Sequence, residues 1–353
     1  AQIFFIFDKF NNYIMNKQLN LLLLLFLGLF LNAQDDNNLS ALFQNEEPLK
    51  IKLNYSNKVM NKKTNDSTYI ETQMSYDEAG TWKNIDVRLR ARGNFRRNTC
   101  YFPPIKMKIK KIARKGTLFE GNKNLKLVLP CKLESDKNDN ILKEYMAYKL
   151  YEQISPYHFN VRRVDIEFSE IRGKKEKVHQ LKGFLIEDDK VIAKRFEGRV
   201  VDRFIHPLAM DATVSVQNAI FNFMLGNTDI SVAYQHNAKL LYIDKKLIPL
   251  SYDFDMSGFV NPSYATVNET LGINSVRDRK YRGFKRDTSI MQETRELYVS
   301  KKDNLTSIVE SHKSQFDSEK EYKETIGFLN EFYEIIEDDK SFQKEILDAM
   351  RTK

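Results

Sequence analysis

Oxygen-bearing side chains gather within residues 226–258, in types and spacings that suit metal-assisted chemistry. Asp229 lies just past a predicted helix end, Asn237 follows a polar stretch, and Asp253 and Asp255 lie two positions apart, so both can face one side of a strand. Carboxylates and an amide carbonyl are hard oxygen ligands suited to Mg²⁺ or Mn²⁺, and a further Asp beside such a metal can orient or deprotonate a hydroxyl. Each motif alone is typical of turns and caps. Together, in the order helix, loop, hairpin and Asp pair, they predict a site.

Positive charge is concentrated in one segment. Residues 82–126 contain fourteen Lys and Arg side chains but only two acids, whereas the whole 353-residue chain has a formal charge of +8. The basic side chains alternate with apolar ones around the turn Arg92–Gly93–Asn94, which predicts that they lie on the non-core faces of strands. Such a surface suits the phosphates of a nucleotide or an acidic polymer. It equally suits a solvated sheet face whose edge lysines prevent aggregation.

The elements that would position these residues follow from hydrophobic periodicity, which predicts an α+β arrangement of two lobes. Residues 49–130 alternate between apolar and polar types, which is typical of half-buried antiparallel strands. The later predicted elements are a helix from Asn140 to Pro156, strands at 161–168 and 181–187, a helix from Pro207 to Gly226, a hairpin over 238–252 and helices within 287–350.

The N-terminal residues are expected to direct export rather than to fold. Met15, Asn16 and Lys17 precede an apolar run from Leu19 to Leu31 and then Ala33, which is the pattern of a secretory signal. The run is shorter than the roughly 20 residues that span a bilayer, although an uncleaved anchor is the alternative. Residues 1–14 are interpreted as translated upstream sequence and residues 34–48 as a loose leader. Export would permit Cys100 and Cys131 to pair, and two separate thiols are the alternative.

Several function classes are disfavoured by what the sequence lacks. The five His residues have no paired metal-ligand spacing, and two Cys cannot build a four-thiolate zinc site. Neither a Gly-x-Gly-x-x-Gly loop nor a Walker motif is present. The basic segment has no obvious aromatic platform for stacking bases, and export removes the usual nucleic-acid partner.

Five segments in order over residues 85–260 resemble the spore-coat CotH-like atypical kinases. The matching segments are Arg88-x-Arg90-x-Arg92-Gly93-Asn94, Pro104–Ile109, Leu125–Leu129 with the helix Ile141–Ile154, Lys182–Glu187, and Asp253-Phe254-Asp255.

This resemblance implies a two-lobed protein-kinase-like fold that uses ATP and Mg²⁺ or Mn²⁺ in the cell envelope or outside the cell. Residues 49–190 would form a strand-rich N-lobe and residues 191–353 a helical C-lobe. The implied site residues are Lys108 on the nucleotide phosphates, Glu144 paired with it, Arg92 in the basic turn, Glu187 with Ile186 near adenine, Asp229 as the catalytic residue, Asn237 as a metal ligand, and Asp253 or Asp255 as the main metal ligand.

The acceptor implied by this interpretation is a hydroxyl on an envelope or secreted protein or on a glycan. The sequence departs from the family in two respects. Eight positions separate Asp229 from Asn237, which is longer than the family's usual short gap, and position 144 is Glu, where the family usually has Asn.

Two other functions stay open. One is an inactive kinase-like binding or assembly module, and the other is a metal-dependent glycosyltransferase, because Asp253-x-Asp255 is also an Asp-x-Asp pattern.

Overall fold

Ten strands are present in the computed structural model, which describes residues 39–93 and 95–352. The expected signal segment and upstream residues therefore lie outside the described residues, as does part of the leader. The strands are β1 Leu49–Tyr55, β2 Ile70–Glu78, β3 Thr81–Ala91, β4 Ile105–Ile109, β5 Asn124–Val128, β6 Val161–Arg172, β7 Lys175–Ile186, β8 Arg199–Val201, β9 Ala238–Ile243 and β10 Lys246–Ser251.

Seven of these strands close into a barrel in the order β1, β2, β3, β4, β5, β7, β6. Neighbours pair antiparallel except β1 and β6, which run parallel from Leu49 opposite Val164 to Tyr55 opposite Glu170. The predicted alternation is confirmed: Leu49, Ile51, Leu53 and Tyr55 of β1 are buried, and the residues between them are exposed. Alternation follows from the pleat, which sends successive side chains to opposite faces.

The closed barrel shows that the prediction of a protein-kinase-like two-lobed fold is wrong. That prediction expected a purely antiparallel, strand-rich lobe, whereas the structure is an α+β fold built around a mixed barrel. Alternation reports which face of a strand is buried but not which strand lies beside it. Closure between β1 and β6 joins strands more than a hundred residues apart, and no local pattern encodes that pairing. The boundary placed between residues 190 and 191 stays a prediction.

Ten α-helices lie in the described residues. They are α1 Asn57–Lys63, α2 Phe95–Thr99, α3 Lys111–Arg114, α4 Lys137–Glu152, α5 Asp189–Arg195, α6 Ala212–Met224, α7 Thr288–Ser300, α8 Lys302–Ser311, α9 Glu319–Glu337 and α10 Asp339–Phe342. Short 3₁₀ turns occur at Ala41–Phe43, Pro207–Ala209, Glu269–Leu271 and Lys313–Gln315, and a π turn occurs at Gln343–Leu347. No helix in the described part is long and apolar enough to cross a bilayer.

The helix ends differ from the predicted ones where side-chain caps decide them. The helix expected to open at Pro207 instead begins at Ala212, because the Asp211 carboxylate accepts a hydrogen bond from the Val214 amide. Its predicted end is confirmed, since Gly226 follows Met224 with φ +59°. The strand β8 was not predicted. It pairs with β9, and with β10 these strands form a separate three-stranded sheet.

A large apolar core connects the barrel to the helices. The helix α4 packs against β7 and α8, and α6 packs against β10 and α7. Phe254 contacts Tyr148 and Phe221 in this core, with ring centroids 4.8 Å and 5.5 Å apart, respectively. The described part of the expected loose leader is ordered, because Leu42 and Phe43 are buried and Arg162 donates to the Leu42 carbonyl.

Candidate functional site

Most of the predicted site residues meet in one cleft of about 790 Å³. Asp229, Asn237, Asp253, Asp255 and Arg92 all line it. They come from the loop between α6 and β9, from the residues after β10 and from the end of β3. The carboxylates, an amide and a guanidinium therefore face one solvent-accessible space.

The loop between α6 and β9 holds Asp229 and Asn237 side by side despite the eight positions between them. Ser231 and His236 exchange two backbone hydrogen bonds of 3.0 Å, which close the intervening residues into a tight turn. The Asn237 Nδ2 then donates to the Asp229 carbonyl at 2.7 Å and to its Oδ2 at 2.8 Å. The His236 Nε2 lies 3.0 Å from the Asp229 Oδ1. Both oxygens of this carboxylate are thus oriented by neighbours.

Glycine lets the two acidic segments cross closely. Gly226 adopts φ +59°, and a Cβ built there would lie 3.1 Å from the Phe328 Cζ and 3.5 Å from the Gly258 Cα. The Gly258 amide donates to the Gly226 carbonyl at 3.2 Å, and the Phe259 amide donates to the Leu225 carbonyl at 2.9 Å. These bonds tie the chain after the Asp pair to the chain before Asp229. A side chain at Gly226 would oppose both the backbone conformation and the crossing.

The Asp pair occupies a strained turn directly after β10. Asp253 has φ +64°, a region that only a few per cent of non-glycine residues adopt, and its amide donates to the Tyr148 hydroxyl at 3.0 Å. Asp255 is 3% exposed. Burial raises the pKa of Asp255 to about 7, while Arg96 opposes the rise and Asp253 and Asp229 add to it. The three carboxylates therefore repel one another, and a bound cation would relieve that repulsion.

Arg96, which also lines the cleft, compensates part of this negative charge. Its Nη1 lies 3.4 Å from the Asp255 Oδ2 and 3.7 Å from the Glu144 Oε2. Burial raises the pKa of Glu144 well above its ordinary range, and Arg96 counteracts the effect. The Tyr264 hydroxyl lies 3.3 Å from the same Asp255 oxygen. Glu144, predicted to pair with Lys108, instead pairs with Arg96.

Arg96 owes its position to the short helix α2, which a disulfide fastens. The structure joins Cys100 and Cys131 with their Cα atoms 4.5 Å apart, which decides between the two alternatives left open by the sequence. The Tyr101 amide donates to the Cys131 carbonyl at 2.7 Å, and the Arg96 Nη2 donates to the Leu129 carbonyl at 3.1 Å. The guanidinium is therefore fixed to the segment that follows β5.

Lys126 is a buried cation that sequence reasoning missed. Its Nζ lies 3.8 Å from the centroid of the Tyr252 ring and 4.6 Å from that of Phe159, and it has no hydrogen-bond partner among the described residues. Burial, with a further contribution from Arg92, lowers the pKa of Lys126 to about 7. Arg92 lies 5.4 Å from the same Tyr252 ring, which lines the cleft. No local signal marked it, because Asn124, Leu125, Lys126 and Leu127 alternate as in a half-buried strand, whereas residues 125–128 are all buried in the structure.

Lys108 and Glu187 do not line the cleft. Lys108 lies on the half-buried outer face of β4, with its Nζ 5.9 Å from the Tyr69 ring centroid. Glu187 is buried just beyond β7, where Arg195 donates to its carboxylate at 2.6 Å and the Asn160 amide donates to it at 2.6 Å. Both residues therefore have structural partners away from the Asp cluster.

The donor set fits a hard divalent cation. Asp253 and Asp255 supply carboxylate oxygens. The Asn237 Nδ2 donates to Asp229, which leaves the Asn237 Oδ1 available to bind a cation. Within residues 39–93 and 95–352, no group of three or more His, Cys, Asp or Glu side chains is arranged to bind a metal ion without other ligands. A site that shares its cation with phosphate oxygens needs few protein ligands, as is usual for Mg²⁺.

Comparison of the chain with known proteins finds no family model that matches it and no curated protein that matches it.

Proposed function

We propose that the protein is an exported phosphotransferase that uses Mg²⁺ and a nucleoside triphosphate. The observation that carries this proposal is the meeting of Asp229, Asn237, Asp253 and Asp255 with Arg92 in one cleft. Oxygen donors beside a cationic side chain suit a metal-bound polyphosphate. The resemblance of residues 85–260 to CotH-like kinases favours ATP as the donor.

Asn237, Asp253 and Asp255 would hold the cation. Mg²⁺ bound there would neutralise the phosphate oxygens of the nucleotide. Arg96 keeps the buried Asp255 carboxylate in place from 3.4 Å, and the turn at Asp253 aims that side chain into the cleft. Arg92, which lines the same cleft, would add positive charge for the phosphates. Asn237, Asp253 and Asp255 would thus bind the metal, and Arg92 would bind the phosphates.

Asp229 is positioned to accept a proton from the attacking hydroxyl. In this reaction the hydroxyl oxygen bonds to the terminal phosphorus, the bond from that phosphorus to its bridging oxygen breaks, and the nucleoside diphosphate leaves. The hydroxyl proton passes to the Asp229 carboxylate, whose orientation Asn237 and His236 maintain. His236, 3.0 Å away and largely exposed, offers the proton a route to solvent.

An acceptor on an envelope or secreted protein, or on a glycan, follows from the expected export. The Cys100–Cys131 disulfide supports that location, since disulfides persist mainly in oxidising compartments. Asp229 lines the cleft and is half-exposed, so a hydroxyl of a macromolecule can approach it.

Two substitutions separate binding from turnover. We expect Asp253→Asn to weaken binding of a non-hydrolysable ATP analogue in the presence of Mg²⁺ by about tenfold or more, measured by titration calorimetry. We expect Asp229→Asn to retain that binding but to lose about a hundredfold or more in transfer of labelled phosphate from ATP. The matched control is Asp244→Asn, which makes the same change at an exposed position in the β9–β10 turn.

Unchanged nucleotide affinity in Asp253→Asn would refute the metal assignment. Binding of ATP by the wild-type protein without phosphate transfer to any hydroxyl would refute the proposed phosphotransferase activity. It would favour the inactive binding or assembly module. Tighter Mg²⁺-dependent binding of a sugar nucleotide than of ATP would favour the glycosyltransferase.

A further inference from the structure

The loop that carries Asp229 and Asn237 has a second face, which lines a separate cavity of about 340 Å³. Asn227 and residues 230–234 of the loop face this cavity, whereas Asp229 and residues 235–237 face the cleft. The opposite walls come from α6, from residues 280–284 and from Arg286. This volume lies at the lower end of the range for sites that enclose small organic ligands.

Asn227, which lines the cavity, carries a buried hydrogen-bond acceptor without a partner among the described residues. Asn227 is 2% exposed, and its Nδ2 donates to the Asn222 Oδ1 at 2.8 Å. Asn222 is itself satisfied by Asn218 and Ser251. The Asn227 Oδ1, however, has no partner among the described residues. Buried polar atoms are nearly always paired, and because neighbouring atoms cover this oxygen, a ligand's donor would reach it once the Asn227 side chain turns towards the cavity.

Four cationic side chains line the cavity, and the carboxylates that act on them, Asp211, Asp287 and Asp229, lie outside its lining. Lys280, Arg282, Arg286 and Arg351 all line the cavity, and no Asp or Glu among the described residues does. Arg286 donates to the Pro207 and Met210 carbonyls, but its buried Nε has no partner in the described part of the chain. Four cations around one small space favour an anionic ligand.

Aromatic rings form the mouth of the cavity. Phe204 and Tyr234 contact each other with ring centroids 5.2 Å apart, although they are 56% and 77% exposed. His206 and Phe284 form a second ring pair at 5.8 Å. Large exposed rings grouped at an opening are typical of surfaces that bind apolar or aromatic groups.

We propose that this cavity binds a small organic anion with an aromatic body and a hydrogen-bond donor. The donor would meet the Asn227 Oδ1, the acidic group would lie near Arg286 and Arg351, and the ring would insert beneath Phe204 and Tyr234. The ligand would therefore stabilise the loop on the side away from the cleft. This proposal does not depend on phosphate transfer, because none of its recognition groups belongs to the Asp cluster.

The probe for the test is 1-anilinonaphthalene-8-sulfonate, which combines an N–H donor, fused rings and a sulfonate. Fluorescence titration of the purified protein is expected to show one saturable site. Ala219→Phe, which fills the cavity from α6, should weaken binding by about tenfold or more. Arg351→Gln should weaken it by about threefold to tenfold. Thr213→Phe, at an exposed position of the same helix outside the cavity, is the matched control and should bind like the wild type.

A neutral comparison probe, N-phenyl-1-naphthylamine, isolates the contribution of charge. It should bind about tenfold more weakly than the sulfonate to the wild type and equally to Arg351→Gln and the wild type. Wild-type affinity in a folded Ala219→Phe protein would refute the location. Equal binding of both probes, or no effect of Arg351→Gln, would refute the anionic ligand even if Ala219→Phe failed to fold.

Discussion

The buried charge of Lys126 provides the sharpest electrostatic test of the structure. Only 9% of this residue is exposed, and its Nζ has ring faces but no hydrogen-bond partner around it among the described residues. Burial lowers its pKa from the ordinary 10.5 to about 7. Methionine has a similar length and no charge, so we expect Lys126→Met to raise the free energy of unfolding in the absence of ligand.

The size of this gain follows from the pKa. At about 1.4 kcal/mol per pKa unit, the fall from 10.5 to about 7 corresponds to at most about 5 kcal/mol below pH 7. The expected stabilisation is therefore at most about 5 kcal/mol at pH 6.

The sign of the pH dependence follows from which state binds more protons. Between pH 7 and 10.5 the unfolded chain keeps the Lys126 proton while the folded protein has released it, so this residue makes wild-type stability rise with pH. Lys126→Met lacks that contribution. Its advantage over the wild type should therefore shrink by about 3 kcal/mol between pH 6 and pH 9.

Urea unfolding followed by circular dichroism at pH 6 and pH 9 measures both quantities. Lys108→Met is the matched control, because it removes the same charge from the half-buried outer face of the neighbouring strand β4, and it should change stability by less than about 1 kcal/mol. Destabilisation of Lys126→Met, or a stability gain that is the same at both pH values, would refute the inference that the lysine is desolvated.

Two further predictions concern the supports of the site. Gly226→Ala should lower the free energy of unfolding by about 1–3 kcal/mol, because of φ +59° and the 3.1 Å approach to Phe328. Gly327→Ala, in the interior of α9 with open space around it, should instead raise it by about 0.5–1 kcal/mol, and a loss there in thermal unfolding would contradict the reasoning. Replacing Cys100 and Cys131 together with Ala should cost about 3–4 kcal/mol, since the bond closes a loop with a sequence separation of 31. Thiol alkylation of the unreduced wild type should find both cysteines protected, and a free thiol would contradict the pairing.

Local sequence patterns predicted the elements well where one physical signal dominated. The alternation in β3 and β4 identified the buried residues Ile85, Met107 and Ile109 because a pleated strand sends alternate side chains to one face. Gly226 identified the end of α6 because only glycine adopts positive φ there without strain. The start of α6 was misplaced at Pro207, because the cap that counts is the Asp211 side chain.

The candidate site was predicted in part. Asp229, Asn237, Asp253 and Asp255 share the cleft, and their residue types alone indicated the chemistry. Lys108 was expected among them because a basic strand residue points away from the core, but strand geometry does not say how far along a barrel a side chain lies. Arg96, Tyr264 and Lys126 were missed because their contacts span distant segments.

Residue types and their periodicity determined the strand faces, the C-terminal end of α6 and the acidic cluster, because these depend on neighbours within a few positions. The tertiary structure alone decided the parallel pairing of β1 with β6, the partner of Glu144 and the Cys100–Cys131 bond. It also decided that two cavities share the loop between α6 and β9. Each of these joins residues far apart in sequence, and such contacts depend on burial and packing of the whole chain.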